Sequence, residues 1–165
     1  MDDAADGVYS RAPELEDLLN LCQALNREQA RYVLIGGFAV ILHGFVRGTK
    51  DIDLLVDPDA ANIRAVKRAM AELPDNAAAL VDDDEVGRYQ VLRVADEIVV
   101  DLMAAACGID YAAALAAGVE TLTIQGVAIP VASKELLIRM KDTVRPSDAA
   151  DVAFLRVRIA EDPLC

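Results

Sequence analysis

At 165 residues the chain is most simply a single domain, 1–165, long enough to bury roughly 68–70% of its unfolded surface. Its 55% hydrophobic content excludes a mostly disordered chain, and no apolar run reaches the length of about 18 residues that a membrane span requires. A formal net charge of −12 works against generic binding to nucleic acid phosphates and gives weight to a small cationic substrate or a protein partner, although one local basic patch can outweigh the average.

Residues 1–12 are polar and read as a loose lead-in; Met1-Asp2-Asp3 is acidic, the opposite of a secretory signal. Cys22, Cys107 and Cys165 are scattered without metal or redox spacing, which fits a reducing cytoplasm. Leu15, Leu18, Leu19, Cys22 and Leu25 follow helical spacing and predict a helix over Glu14–Arg27. A short apolar strand, Tyr32–Ile35, then stops at Gly36-Gly37, and a helix-sized segment, Phe38–Phe45, follows. The glycine pair allows a tight turn and turns the N–H groups of the next helix toward a ligand, a ready anion site. His43, the one histidine, reads as a capping or packing residue ahead of a substrate contact. Arg47-Gly48-Thr49-Lys50 leads into a second strand, Asp51–Val56.

That strand carries the anomaly of the chain. Asp51 and Asp53 stand two apart in an apolar strand, so they project to one side, on the order of 7 Å apart along the backbone. Paired carboxylates repel unless a cation lies between them, which points to a divalent metal site beside a phosphate-holding turn. Asp57-Pro58 reads as a helix cap and first helical residue, and Ile63, Val66, Met70 and Leu73 predict a helix over Asp59–Leu73. The run Asp82–Glu85 reads as a solvated loop. Tyr89–Val94 and Glu97–Met103 read as a hairpin turning at Ala95-Asp96, with Asp101 a lone carboxylate in the second strand. A salt bridge or a sheet-end position would account for it, since burying an unpaired charge is costly. Asp96 and Glu97 stand at the start of the same strand.

Ile109–Ala117 predicts an Ala-rich helix ending at Gly118, and Thr121–Val131 a hairpin turning at Gln125-Gly126. The C-terminal helices occupy 133–165. Ser133 caps a helix from Lys134 to about Val144, with Leu136, Leu137, Met140 and Val144 as its buried stripe. At about 100° per residue Lys134, Lys141 and Arg145 align on a neighbouring face, either as a phosphate-binding stripe or as charges balancing surface acids. Pro146-Ser147 opens the last helix, where Asp148 and Asp151 suit capping and the helix dipole.

The pattern GGFAVILHGFVRGTKDIDLLVD, with Gly36-Gly37 and Asp51-Ile52-Asp53 at this spacing, resembles the nucleotidyltransferase superfamily that includes DNA polymerase β. It is most similar to small bacterial members: AbiEii-like toxins, minimal nucleotidyltransferases of toxin–antitoxin pairs, and antibiotic nucleotidyltransferases. The resemblance is tight over about a fifth of the chain and loose over about two thirds. It implies an α/β fold, with a mixed sheet of about five strands flanked by helices. It also implies a third carboxylate on a strand beside the DxD strand, which is Asp101 here with Asp96 and Glu97 as fallbacks, and two Mg²⁺ ions about 3.5–4 Å apart, with Mn²⁺ as a substitute. Arg47 and Thr49 would line the nucleotide site, unless Arg47 is merely solvated. A Lys of the C-terminal helix would bind a triphosphate tail, and Asp148 or Asp151 would assist as a base. The implied reaction transfers NMP from an NTP to a tRNA or protein hydroxyl. The alternatives are an aminoglycoside or lincosamide nucleotidyltransferase, or a non-catalytic nucleotide-binding antitoxin-like module. A homodimer or a cognate toxin or antitoxin would complete the acceptor site.

Overall fold

The computed structural model describes residues 10–143 and 145–162. Most of the expected lead-in, Val144 of the expected helical stripe, and Cys165 lie outside the described residues. Helix α1 (Leu15–Arg27) forms where the leucine spacing demands it. Asp17 accepts the Glu14 backbone N–H at 2.7 Å while pairing with Arg11, and Gln29, at φ 57°, ends the run. Leu18, Cys22 and Leu25 are fully buried, each aliphatic side chain contributing roughly 1.5–3 kcal/mol by leaving water.

Strand β1 (Tyr32–Ile35) is buried throughout and passes directly into helix α2 (Gly36–Leu42), two residues earlier than the sequence suggests. Strand β2 (Asp51–Val56) returns antiparallel to β1. Helix α3 (Ala60–Met70) packs on α1 and starts after Asp59 rather than at Pro58. Asp57 instead accepts the Asp59 N–H and pairs with Arg31. A 3-10 turn (Ala77–Leu80) and short helix α4 (Glu85–Arg88) complete the crossover. The acidic run is therefore not merely solvated: Asp83 pairs with Arg64 and Lys67, and Glu85 starts α4.

Strands β3 (Leu92–Ala95) and β4 (Val99–Met103) pair antiparallel, and β4 lies parallel to β2. A two-residue ribbon, β5 (Ala105–Ala106) with β6 (Ile109–Asp110), turns at Cys107-Gly108, both at positive φ. The sequence reading placed the start of a helix there. That helix, α5 (Tyr111–Ala117), begins only after Asp110 caps it by accepting from Ala113 N–H. Strands β7 (Val119–Ile124) and β8 (Val127–Ala132) form the expected hairpin at Gln125-Gly126. The resulting mixed sheet has six strands, in the order β3-β4-β2-β1-β8-β7.

Helix α6 (Lys134–Met140) is capped by Ser133, as its sequence predicts, but ends four residues early; α7 (Pro146–Glu161) begins at the expected proline. Phe154 of α7 stacks on Phe45 with centroids 4.6 Å apart, fastening α7 to the segment after α2. No helix of the described residues is long and apolar enough to cross a membrane.

Candidate active site

Sheet register assembles the centre of the molecule. Arg93, Asp101, Asp53 and Ile35 are consecutive cross-strand partners on β3, β4, β2 and β1, one row across four strands. Partners in register share a face, so the row presents one arginine and two aspartates together; Asp51, two residues from Asp53, joins the same side. One carboxylate oxygen from each of Asp51, Asp53 and Asp101 lies within 4.8 Å of the others. These oxygens are the hard, anionic donors that divalent cations such as Mg²⁺ and Mn²⁺ prefer, so the residues present fit such an ion.

Gly36 is what lets Asp53 sit there. It adopts φ +73°, and a Cβ on it would collide with the Asp53 carboxylate. Gly37 serves differently: its missing Cβ makes room for Thr49 Oγ1 and the Arg47 guanidinium, so the second glycine packs the loop before β2 instead of opening a path to ligand.

The electrostatics follow from crowding. Burial, then the charges of Asp51 and Asp101, push the Asp53 carboxyl up to about 7. Burial and the Asp101 charge also raise Asp51, while Arg93 opposes this. Arg93 donates Nε to Asp101 Oδ1 and Nη2 to Asp101 Oδ2, both at 2.9 Å, and Nη2 reaches Asp51 Oδ2 at 3.1 Å. Its hydrogen bonds to Asp101 in turn hold the guanidinium more firmly protonated than usual.

A cavity of about 300 Å³ opens over the triad, within the usual range for small-molecule sites. Gly36 and Arg93 line it on the carboxylate side, and Lys141, Arg145 and Asp148 opposite. Behind the opposite wall lies a buried charge network. Lys141 Nζ contacts Asp151 at 2.9 Å and Asp148 at 3.3 Å. Arg47 holds Asp151 through two bonds of 2.9 and 2.8 Å, and Arg145 holds Asp148 at 2.9 Å. Burial works to raise the Asp148 carboxyl, but Thr143, Lys141 and Arg145 together keep it below the ordinary range. Lys141 and Arg145 against Asp148 leave the lining of this wall positive, facing a negative one.

Of the sequence-predicted residues, Asp51, Asp53, Asp101, Gly36, Lys141 and Arg145 line one cavity; Gly37, Arg47, Thr49 and Lys134 do not. The expected stripe is broken because α6 stops at Met140, so the angular step no longer holds beyond it. Lys134 pairs with Asp162 at 3.1 Å instead. Arg47 is a strut to Asp151, and Thr49 Oγ1 donates to the Asp51 carbonyl at 3.3 Å. Asp148 and Asp151, expected to cap α7 or to assist as a base, are 2% and 0% exposed and form the anionic half of the buried network. His43 packs as expected, its Nε2 on the Ala132 carbonyl at 2.9 Å. Asp96 accepts the N–H groups of Asp75, Ala77 and Glu97, and Glu97 faces Arg11; neither fallback joins the triad. Arg93 escaped the sequence reading. Its signal was the strand alternation that places it between the inward positions Leu92 and Val94.

Comparison with curated proteins gives no match. A family model described as a nucleotidyltransferase of unknown function (DUF6036) matches residues 14–153, which include every element of the cavity. The chain belongs to this nucleotidyltransferase family.

Proposed function

We propose that the chain is a Mg²⁺-dependent nucleotidyltransferase that moves NMP from an NTP to a hydroxyl of a macromolecular acceptor, a tRNA or a protein, in an AbiEii-like toxin–antitoxin or defence setting. The observation that carries this reading is the convergence of Asp51, Asp53 and Asp101 within 4.8 Å, beside Gly36 and facing Lys141. Asp51 and Asp53 would hold the metal, with Asp101 beside them and Mn²⁺ able to replace Mg²⁺. When bound it supplies charge neutralisation at the phosphates and eases loss of the acceptor's proton.

The chain's own groups do the rest. The positive wall of Lys141 and Arg145 draws in the triphosphate, and Gly36 makes the room in which Asp53 meets the metal. Asp101 receives the proton of the attacking hydroxyl. A bond forms between that oxygen and the α-phosphorus as the bond to the β-phosphate bridging oxygen breaks, and pyrophosphate leaves. Catalysis then rests on positioning and preorganised charge.

An open groove of about 770 Å³ continues from the cavity past Val91 and Arg145 to the exposed Tyr89 and Arg88. Its breadth favours an acceptor larger than a drug. Antibiotic modification is the second reading, favoured by the net charge of −12, which suits a cationic substrate. A second subunit or a cognate partner would extend the groove; full activity in a monomer by light scattering ends that part of the proposal. The acceptor is found by incubating the protein with each α-labelled NTP, Mg²⁺ and a cell lysate. Label in RNA or protein supports the reading, label only in small molecules turns it to the second, and no label from any NTP contradicts both.

A further inference from the structure

The triad already contains a cation. Arg93 holds both carboxylate oxygens of Asp101 at 2.9 Å and touches Asp51 at 3.1 Å. A planar guanidinium matched to a carboxylate in this two-bond fork is the strongest form of that pairing. Arg93 is also the only side-chain donor to Asp101 among the described residues, and Asp101's side chain is 6% exposed. A buried carboxylate without its cation is costly, so Arg93 and Asp101 hold each other in place. No neighbouring cation is free to take over: Lys141 is committed to Asp148 and Asp151, and Arg145 to Asp148.

Resting on the nucleotidyltransferase reading, we propose that Arg93 takes the place of a second metal ion: the nucleotide-free site binds one divalent cation, on Asp51 and Asp53, while Arg93 neutralises Asp101. The charges agree. Three carboxylates less one guanidinium leave two negative charges, the charge of a single divalent cation. A second ion would meet the guanidinium charge at both Asp101 oxygens, whose remaining lone pairs stay open to a proton. Arg93 Nη1 has no hydrogen-bond partner among the described residues, and the side chain is 61% exposed, so the same guanidinium can meet a phosphate oxygen while holding Asp101. Arg93 is on this account a positioning residue for Asp101 and a resident charge at the phosphates.

The test counts Mn²⁺ bound to nucleotide-free protein by electron paramagnetic resonance, titrated to saturation, with thermal melts to establish folding. The wild type binds one ion, Arg93→Met binds two because Asp101 is released, and Arg93→Lys, which keeps the charge, stays at one. Two ions in the wild type overturn the inference and leave the nucleotidyltransferase reading standing; so does a folded Arg93→Met that binds one ion or none when the wild type binds one. No ion in either protein removes the metal-dependent reading beneath it. If Arg93→Met does not fold, the wild-type and Arg93→Lys counts decide, and either one reaching two overturns the inference.

Discussion

Gly36 and Asp53 form the tightest fit of any glycine among the described residues, a left-handed glycine whose missing side chain is the space the carboxylate occupies. Gly36→Ala therefore incurs backbone strain of about 1–3 kcal/mol as well as a collision with Asp53. A lowered Tm together with loss of Mn²⁺ binding is the expected outcome; unchanged binding would show that Asp53 does not need this gap. Asp53 also sets a pH dependence. Its carboxyl is pushed up to about 7 in the fold. Between the ordinary aspartate range near 4 and about 7, the folded chain keeps a proton that the unfolded chain has lost. Stability of the metal-free protein thus falls as pH rises through that window and levels off above it. Melts in chelator should show the wild type losing Tm between about pH 4 and about pH 7, with much of the slope absent in Asp53→Asn. These two residues were legible in the sequence, because period-two alternation alone puts Asp51 and Asp53 on one side and a glycine pair marks the turn beside them. Gly37 was legible as a turn residue but not in its role, since only the folded loop brings Arg47 and Thr49 against it.

Elements decide what single residues could not reveal. The sequence reading turned the β3–β4 hairpin at Ala95-Asp96, a register that sets Arg93 opposite Ile98. The actual turn spans Asp96–Ile98 and sets Arg93 opposite Asp101. Asp96 holds that wider turn by accepting three backbone N–H groups, two of them from the segment after α3, a contact no local pattern encodes. Asp96→Ala should destabilise the chain by about 1–3 kcal/mol and speed amide exchange at Asp75, Ala77 and Glu97; unchanged exchange there would contradict the role given to Asp96. The α6–α7 junction follows the same logic. Helical periodicity extended α6 past Met140, whereas the chain turns there to bury Lys141 between Asp148 and Asp151. Asp151→Ala leaves Lys141 short of a partner and Arg47 with none of its carboxylate bonds, an expected loss of about 3–5 kcal/mol in chemical denaturation. A loss under about 1 kcal/mol would mean that the pairs are solvated.

Across the whole molecule, the six strands of the sheet and most of the helices were readable from strand and helix periods, and the mixed sheet was implied by the family resemblance, while the β5–β6 ribbon was not readable. That ribbon is two residues a side, too short to carry a period. The net charge of −12 proved a poor guide to the cavity, where a carboxylate wall faces a wall of two cations and one carboxylate. Such a polarised cavity can take a metal and a triphosphate together, whatever the surface average. The central claim is that its carboxylates transfer a nucleotide. It is tested by following label from an α-labelled NTP, with Mg²⁺ and lysate, for the wild type and Asp53→Ala at matched folding. The account predicts transfer by the wild type and a loss of at least about a thousandfold in the variant. Equal labelling by the two proteins would contradict it.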